Sequence, residues 1–253
     1  MLRPVVTLNI GIMLFSICIS DAWSQEAEKS ALAQQPEQLI NSLANANSPP
    51  ALKGTGPSQQ PYFPADYDWQ EQGRVMKAIQ SLVDRADEVW PVLIDHFKDQ
   101  RYTVTIEHDM SVANYTVGSV CRILFRENLT AAYLPHIPRG ERAYRRLRSP
   151  SIISRDDFEA WSRKQRDSGK TLCDLQIEMS LWALEAISTD KDLGFAERKA
   201  SIARIEQVVE TLRRDQKPIL IKKFTKIEER APFSEDQANR IREELDAKTK
   251  NNK

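Results

Sequence analysis

A mainly α-helical domain is predicted, with irregularly packed amphipathic helices and a small β-ribbon. Three observations predict it. Apolar residues recur at i, i+3, i+4 and i+7 through most of the span from Met76 to Leu245. Only eight glycines occur in 253 residues, too few turn formers for a β-rich fold. Ser154 with Asp157, Thr171 with Asp174, and Ser234 with Gln237 have the spacing of capping boxes ahead of apolar runs.

Arg3, an apolar run from Val5 to Ile19, and Ala22-Trp23-Ser24 have the order of a secretory signal peptide, so residues 1–24 are expected to be removed. The run is shorter than the roughly 20 residues a membrane span needs. The mature chain is therefore expected to be exported, periplasmic or secreted, with no transmembrane segment. Six of the thirteen prolines lie between Pro36 and Pro64, in a stretch rich in Gln, Ala, Asn and Ser. Residues 25–67 read as a flexible linker with a short helix near Pro36–Leu43. A single helical domain is expected over 68–247 and a disordered tail over 248–253.

Met76, Ile79, Leu82, Val83 and Ala86 mark the first helix. A second is expected near Asp87, because Pro91 is tolerated only close to a helix start. Trp90, Leu93, Ile94 and Phe97 form its apolar face. Tyr102, Val104 and Ile106 then alternate with Thr103, Thr105 and Glu107, as in a half-buried strand, and pair with Val112–Tyr115. Thr116 caps a helix bearing Val117, Val120, Cys121, Leu124 and Phe125. Residues 129–151 read as irregular, and Ser154 opens a helix with Phe158 and Trp161. The helix after Thr171 carries two adjoining stripes, one with Leu175, Met179 and Trp182, the other with Ile177, Leu181 and Leu184. That width predicts a central position. Phe195, Ile202, Ile205, Val209 and Leu212 form a narrower stripe on a charged helix that packs antiparallel to it. Pro218–Phe224 reads equally as extended chain or short helix. Phe233 and Ala238 staple the last helix. Trp69, Trp90, Trp161 and Trp182 are expected in or near the core.

The stretch AIQSLVDRADEVWPVLIDHFKDQR, residues 78–101, resembles one HEAT-type repeat of the lyase-like variety. The likeness rests on two short helices, Pro91 entering the second, and the Phe97-Lys98-Asp99 ending. Thr116-Val117-Gly118 is similar to a repeat's helix start. The clear part covers about a tenth of the chain, and no period of about 40 residues continues. The family implies partner binding or scaffolding and offers no catalytic residues. The rest looks like an exported bacterial envelope protein.

Charge balance is neutral, 36 basic against 36 acidic residues, which argues against a dedicated nucleic-acid binder. Cys121 and Cys173 remain after signal removal, and an oxidising compartment permits a bond between them. Cys121 on an apolar face otherwise reads as core, and Cys173 sits near a helix start. His96, His108 and His136 have no metal-ligand spacing. Asp190, Asp192 and Glu197 fail the calcium-loop pattern, and an aspartate at 190 or 192 is expected as a helix cap. Asp156 and Asp157 point about 100° apart on a helix, so they read as first-turn acids.

The most distinctive cluster is RGERAYRRLR, in which Arg139, Arg142, Arg145, Arg146 and Arg148 offer planar forks for phosphate, sulfate or carboxylate. Its alternative is a solvated face paired with acids such as Glu141. No catalytic, cofactor or metal residue emerges. The leading expectation is a non-catalytic protein-binding or scaffold domain of the envelope. The alternatives are a hydrolase of an envelope polymer and an anionic polymer- or lipid-binding module using the arginines.

Overall fold

The computed structural model describes residues 35–55, 59–108, 111–137, 144, 147, 158–191, 193–224 and 232–251. Among them are eight α-helices and two two-stranded antiparallel ribbons, so the chain is mainly α with small β-ribbons. The signal segment, residues 25–34, the arginines of the 139–148 cluster, Glu141, Ser154, Asp156, Asp157 and Asp192 lie outside the described residues.

From Pro36 onward the stretch read as linker is folded. Helix α1 (Pro36–Asn41) buries Leu39 and Ile40, and Leu43 just beyond it is also fully buried. Strands β1 (Ala51–Lys53) and β2 (Gln60–Tyr62) pair antiparallel, and Phe63 and Tyr67 follow into an aromatic cluster with Trp69 and Phe233. Apolar residues are sparse here, but each buried one contributes about 1.5–3 kcal/mol against the ordering entropy. Backbone groups are satisfied by long-range partners: Asn45 N–H donates to Tyr102 O (2.8 Å), and Arg74 donates to Ser42 O and Ala44 O (both 2.8 Å).

Asp68 caps α2 (Trp69–Asp84), its carboxylate accepting from Gln70 and Glu71 N–H. Helix α3 (Ala86–Asp95) begins at once after Arg85. Pro91 is therefore its sixth residue, deeper than a first turn, and the Asp87 carbonyl loses its i+4 donor. The fully buried face of Val89, Trp90, Leu93 and Ile94 holds the helix regardless.

Strands β3 (Tyr102–His108) and β4 (Ser111–Thr116) form the expected ribbon, with Thr105 opposite Asn114 and Ile106 opposite Ala113. The expectation of a half-buried strand needs correction, because Thr103 and Thr105 are as buried as Val104 and Ile106. The segment from Asn45 to Pro50 covers the second face: Asn45 Nδ2 donates to Thr103 O, and Asn114 Nδ2 donates to Pro50 O.

Thr116 caps α4 (Val117–Thr130), accepting from Ser119 N–H. The start of α4 lies hard against the end of α3: Gly118 N–H donates to Asp99 O (2.9 Å) and Val117 N–H to Arg101 O (2.9 Å). A Cβ at Gly118 would sit 2.5 Å from the Phe97 carbonyl oxygen, so only glycine fits. Helices α2, α3 and α4 enclose the main core, where Trp90, Phe97 and Phe125 pack with half-buried Phe158 and Trp161 of α5 (Phe158–Asp167).

Both bonds of the Thr171–Asp174 capping box are present at the start of α6 (Leu172–Ser188). This helix feeds three clusters, through Leu172 and Leu175, through Met179, Ala183 and Ile187, and through Cys173. Its second stripe is less covered than expected, with Leu181 exposed. Helix α7 (Phe195–Asp215) runs antiparallel to α6, since Cys173 near one start meets Leu212 near the other end. Phe195 is 81% exposed and leaves the predicted stripe, and Gly194, not an aspartate, occupies the cap position.

Residues 216–221 form neither helix nor strand, and Gln216 at the end of α7 is left-handed (φ 51°). Buried Gln176 holds Ile219 by both backbone groups, accepting from its N–H (2.8 Å) and donating to its carbonyl (2.7 Å). Ile221 N–H donates to Asn128 Oδ1 (3.2 Å). The last helix, α8 (Glu235–Asn251), has the Ser234–Gln237 capping box with Phe233 and Ala238 buried beside it. It runs through residues 248–251, where a disordered tail was expected.

Candidate functional site

Helix periodicity places Arg204, Gln207, Val208 and Thr211 on one face of α7. That face, a 3₁₀ turn (Leu134–His136) and Ile219 enclose an open cleft of about 430 Å³ lined by His136, Arg204, Gln207, Val208, Thr211 and Ile219. Each wall is fixed from behind. The His136 N–H donates to Tyr133 O (3.0 Å), and fully buried Tyr133 donates its hydroxyl to Leu147 O (2.9 Å). Ile219 is gripped by Gln176 as described. Val208 and Ile177 pack over Ala132, Cys173 and Leu212, which makes the cleft floor apolar.

The electrostatics are one-sided. Among the described residues, no carboxylate lies within ion-pair distance of Arg204. Burial and then the neighbouring Arg204 guanidinium hold the His136 imidazole below its ordinary pKa. The Thr211 hydroxyl donates to Gln207 O, so its proton is already engaged. The donors left to a ligand are the Arg204 guanidinium, the Gln207 amide and His136. Such a wall can hold an anion beside apolar carbon, and its lining residues include no thiol and no carboxylate.

The residues singled out in the sequence go elsewhere. Cys121 and Cys173 are free buried thiols in separate apolar clusters, so the bond allowed between them is not formed. Burial pushes both thiols up, far up for Cys121, which keeps them protonated and unreactive. His96 stands between Glu37 Oε2 (Nε2 at 2.9 Å) and Asp99 Oδ2 (Nδ1 at 3.5 Å), tying α1 to the end of α3. Among the described residues no three His, Cys, Asp or Glu side chains gather as a metal site. The backbone of His108 ends β3 rather than lying in a turn.

Arg204 was missed because its partners lie 68 residues before it, at His136, and 15 after it, at Ile219. A signal existed: at i±3 and i±4 it meets Ser201, Gln207, Ala200 and Val208, with no acid on a helix otherwise rich in them.

Comparison of the chain with protein-family models, curated proteins and solved structures finds no match. Among the described residues no helix is long and apolar enough to cross a membrane.

Proposed function

We propose that this chain is an exported, non-catalytic binding domain of the cell envelope. The observation that carries the reading is the α7 cleft, where a guanidinium with no carboxylate partner among the described residues faces an imidazole above an apolar floor. The reactive-type side chains elsewhere support it. Both thiols are buried, His96 is engaged with Glu37 and Asp99, and Asp99 is engaged with Arg101. The signal-like order of residues 1–24 supports export. The α2–α3 pair, which contains the segment resembling a HEAT-type repeat, supports a scaffolding role in which the helices display a surface instead of assembling a reaction centre.

The test is calorimetric titration of the mature chain against fractionated envelope components, followed by mass spectrometry of the bound component. Saturable binding with the component recovered unchanged is expected. A chemically altered component, with the alteration lost in His96→Ala or His136→Ala, would overturn the reading.

A further inference from the structure

The geometry points to a ligand class for the α7 cleft: an organic anion on an apolar body, of which a medium-chain carboxylate is the simplest, with Arg204 as its ion partner. This rests on the binding reading and narrows it.

Charge comes first. Among the described residues Arg204 has no carboxylate partner, as is true also of Arg122 and Arg213, but Arg204 alone of these three lines the cleft, and the adjacent group facing the same space is another base, His136. An anion in this cleft is attracted by the guanidinium and can accept a hydrogen bond from the imidazole. A carboxylate matches the guanidinium fork, with the Gln207 amide and His136 within the same lining to donate to its remaining lone pairs.

Shape and polarity come second. Ile219 is one of the few large apolar side chains left exposed among the described residues, and Val208 is half-buried beside it. A ligand that supplied charge alone would leave this carbon in water, whereas an acyl or similar body covers it. A volume of about 430 Å³ falls in the range of small-molecule sites, roughly 300–1,000 Å³.

Preorganisation comes third. Ile219 is held through both backbone groups by the fully buried Gln176, so its wall is set before a ligand arrives. Arg204 is solvent-exposed and has no ion pair among the described residues, so its replacement is expected to leave the fold intact.

The experiment titrates the mature chain with sodium octanoate, inorganic phosphate and octan-1-ol, by calorimetry and by amide NMR. Octanoate is expected to fill one site and to shift the amides of Arg204, Val208, Thr211 and Ile219. Arg204→Gln is expected to weaken octanoate about fivefold or more while leaving octanol binding unchanged. Phosphate is expected to bind at least about tenfold more weakly than octanoate, since it covers no apolar surface. Three results would overturn the proposal: no octanoate binding, shifts confined to another surface, or an affinity indifferent to Arg204→Gln. Phosphate binding as tightly as octanoate would also overturn it, by removing the role of the apolar body. Any of these leaves the wider binding reading standing if an envelope component still binds unchanged, whereas turnover, or no binding of any component, removes that reading.

Discussion

Glu71 accepts the Ala46 N–H and two hydrogen bonds from Arg74, whose remaining donors reach the carbonyls of Ser42 and Ala44. The Arg74 hydrogen bonds, more than the Ala46 amide, hold the Glu71 carboxyl down to about 2 from an ordinary 4.5. The unfolded chain therefore takes up this proton first as pH falls. The contribution of Glu71 is fully present above about pH 4.5 and is lost as pH drops through about 2. Glu71→Gln should lower the urea midpoint at pH 7 and flatten its fall between those pH values. A second prediction comes from counting protons. Tyr67, Tyr102 and Thr105 bring three hydroxyl protons to four oxygen–oxygen contacts that end on Gln72 Oε1 and Asn114 Oδ1. One contact must lack a proton. Tyr102→Phe removes it and leaves both end acceptors satisfied, so it should cost less than about 1 kcal/mol. Tyr67→Phe strands the buried Gln72 oxygen and should cost about 1–3 kcal/mol by urea unfolding. Equal costs would refute the count. Little of this was legible in the sequence, because Gln72 and Asn114 look like ordinary polar positions until Phe233 and Pro50 are brought beside them.

The elements were legible where the signal is local. The Thr171–Asp174 and Ser234–Gln237 boxes each close within four residues, and the β3–β4 ribbon closes across a short turn. Helix α1 lies within the short helix read at Pro36–Leu43, but the packing of the chain around it and the course of 216–221 were not legible, because they depend on Arg74, Asn128 and Gln176 reaching from other elements. Two helical glycines separate local propensity from packing. Glycine inside a helix ordinarily costs about 1 kcal/mol relative to alanine. Gly73 on α2 is exposed and a Cβ there meets nothing within 4 Å, so Gly73→Ala should stabilise by about 0.5–1 kcal/mol. At Gly118 the same substitution drives a methyl to 2.5 Å from Phe97 O and 2.9 Å from Asp99 O, both backbone atoms. Gly118→Ala should destabilise by about 2 kcal/mol or more, since the α3–α4 junction must separate. Thermal midpoints moving in the same direction would contradict the packing at that junction.

For the whole molecule, described folded structure reaches back to Pro36, about thirty residues earlier than composition suggested. Average composition hid Leu39, Ile40, Leu43 and Phe63, four fully buried side chains spread through a proline-rich stretch. Leu43→Ala should cost about 2–5 kcal/mol in urea unfolding, where a flexible linker would show no change. The cleft was hidden for the same reason: it joins a turn, a helix face and a non-helical segment that no local pattern connects. Of its six lining residues only His136 and Arg204 are charged or titratable, so the imidazole reports directly on what occupies the site. The decisive measurement is an NMR pH titration of His136, free, in Arg204→Gln, and with saturating octanoate. With burial and then Arg204 lowering it, the His136 midpoint is expected below the usual histidine range in the free chain, raised in part by the substitution and raised again by the anion in this ligand cleft. A midpoint at the ordinary value, unmoved by either, would contradict it.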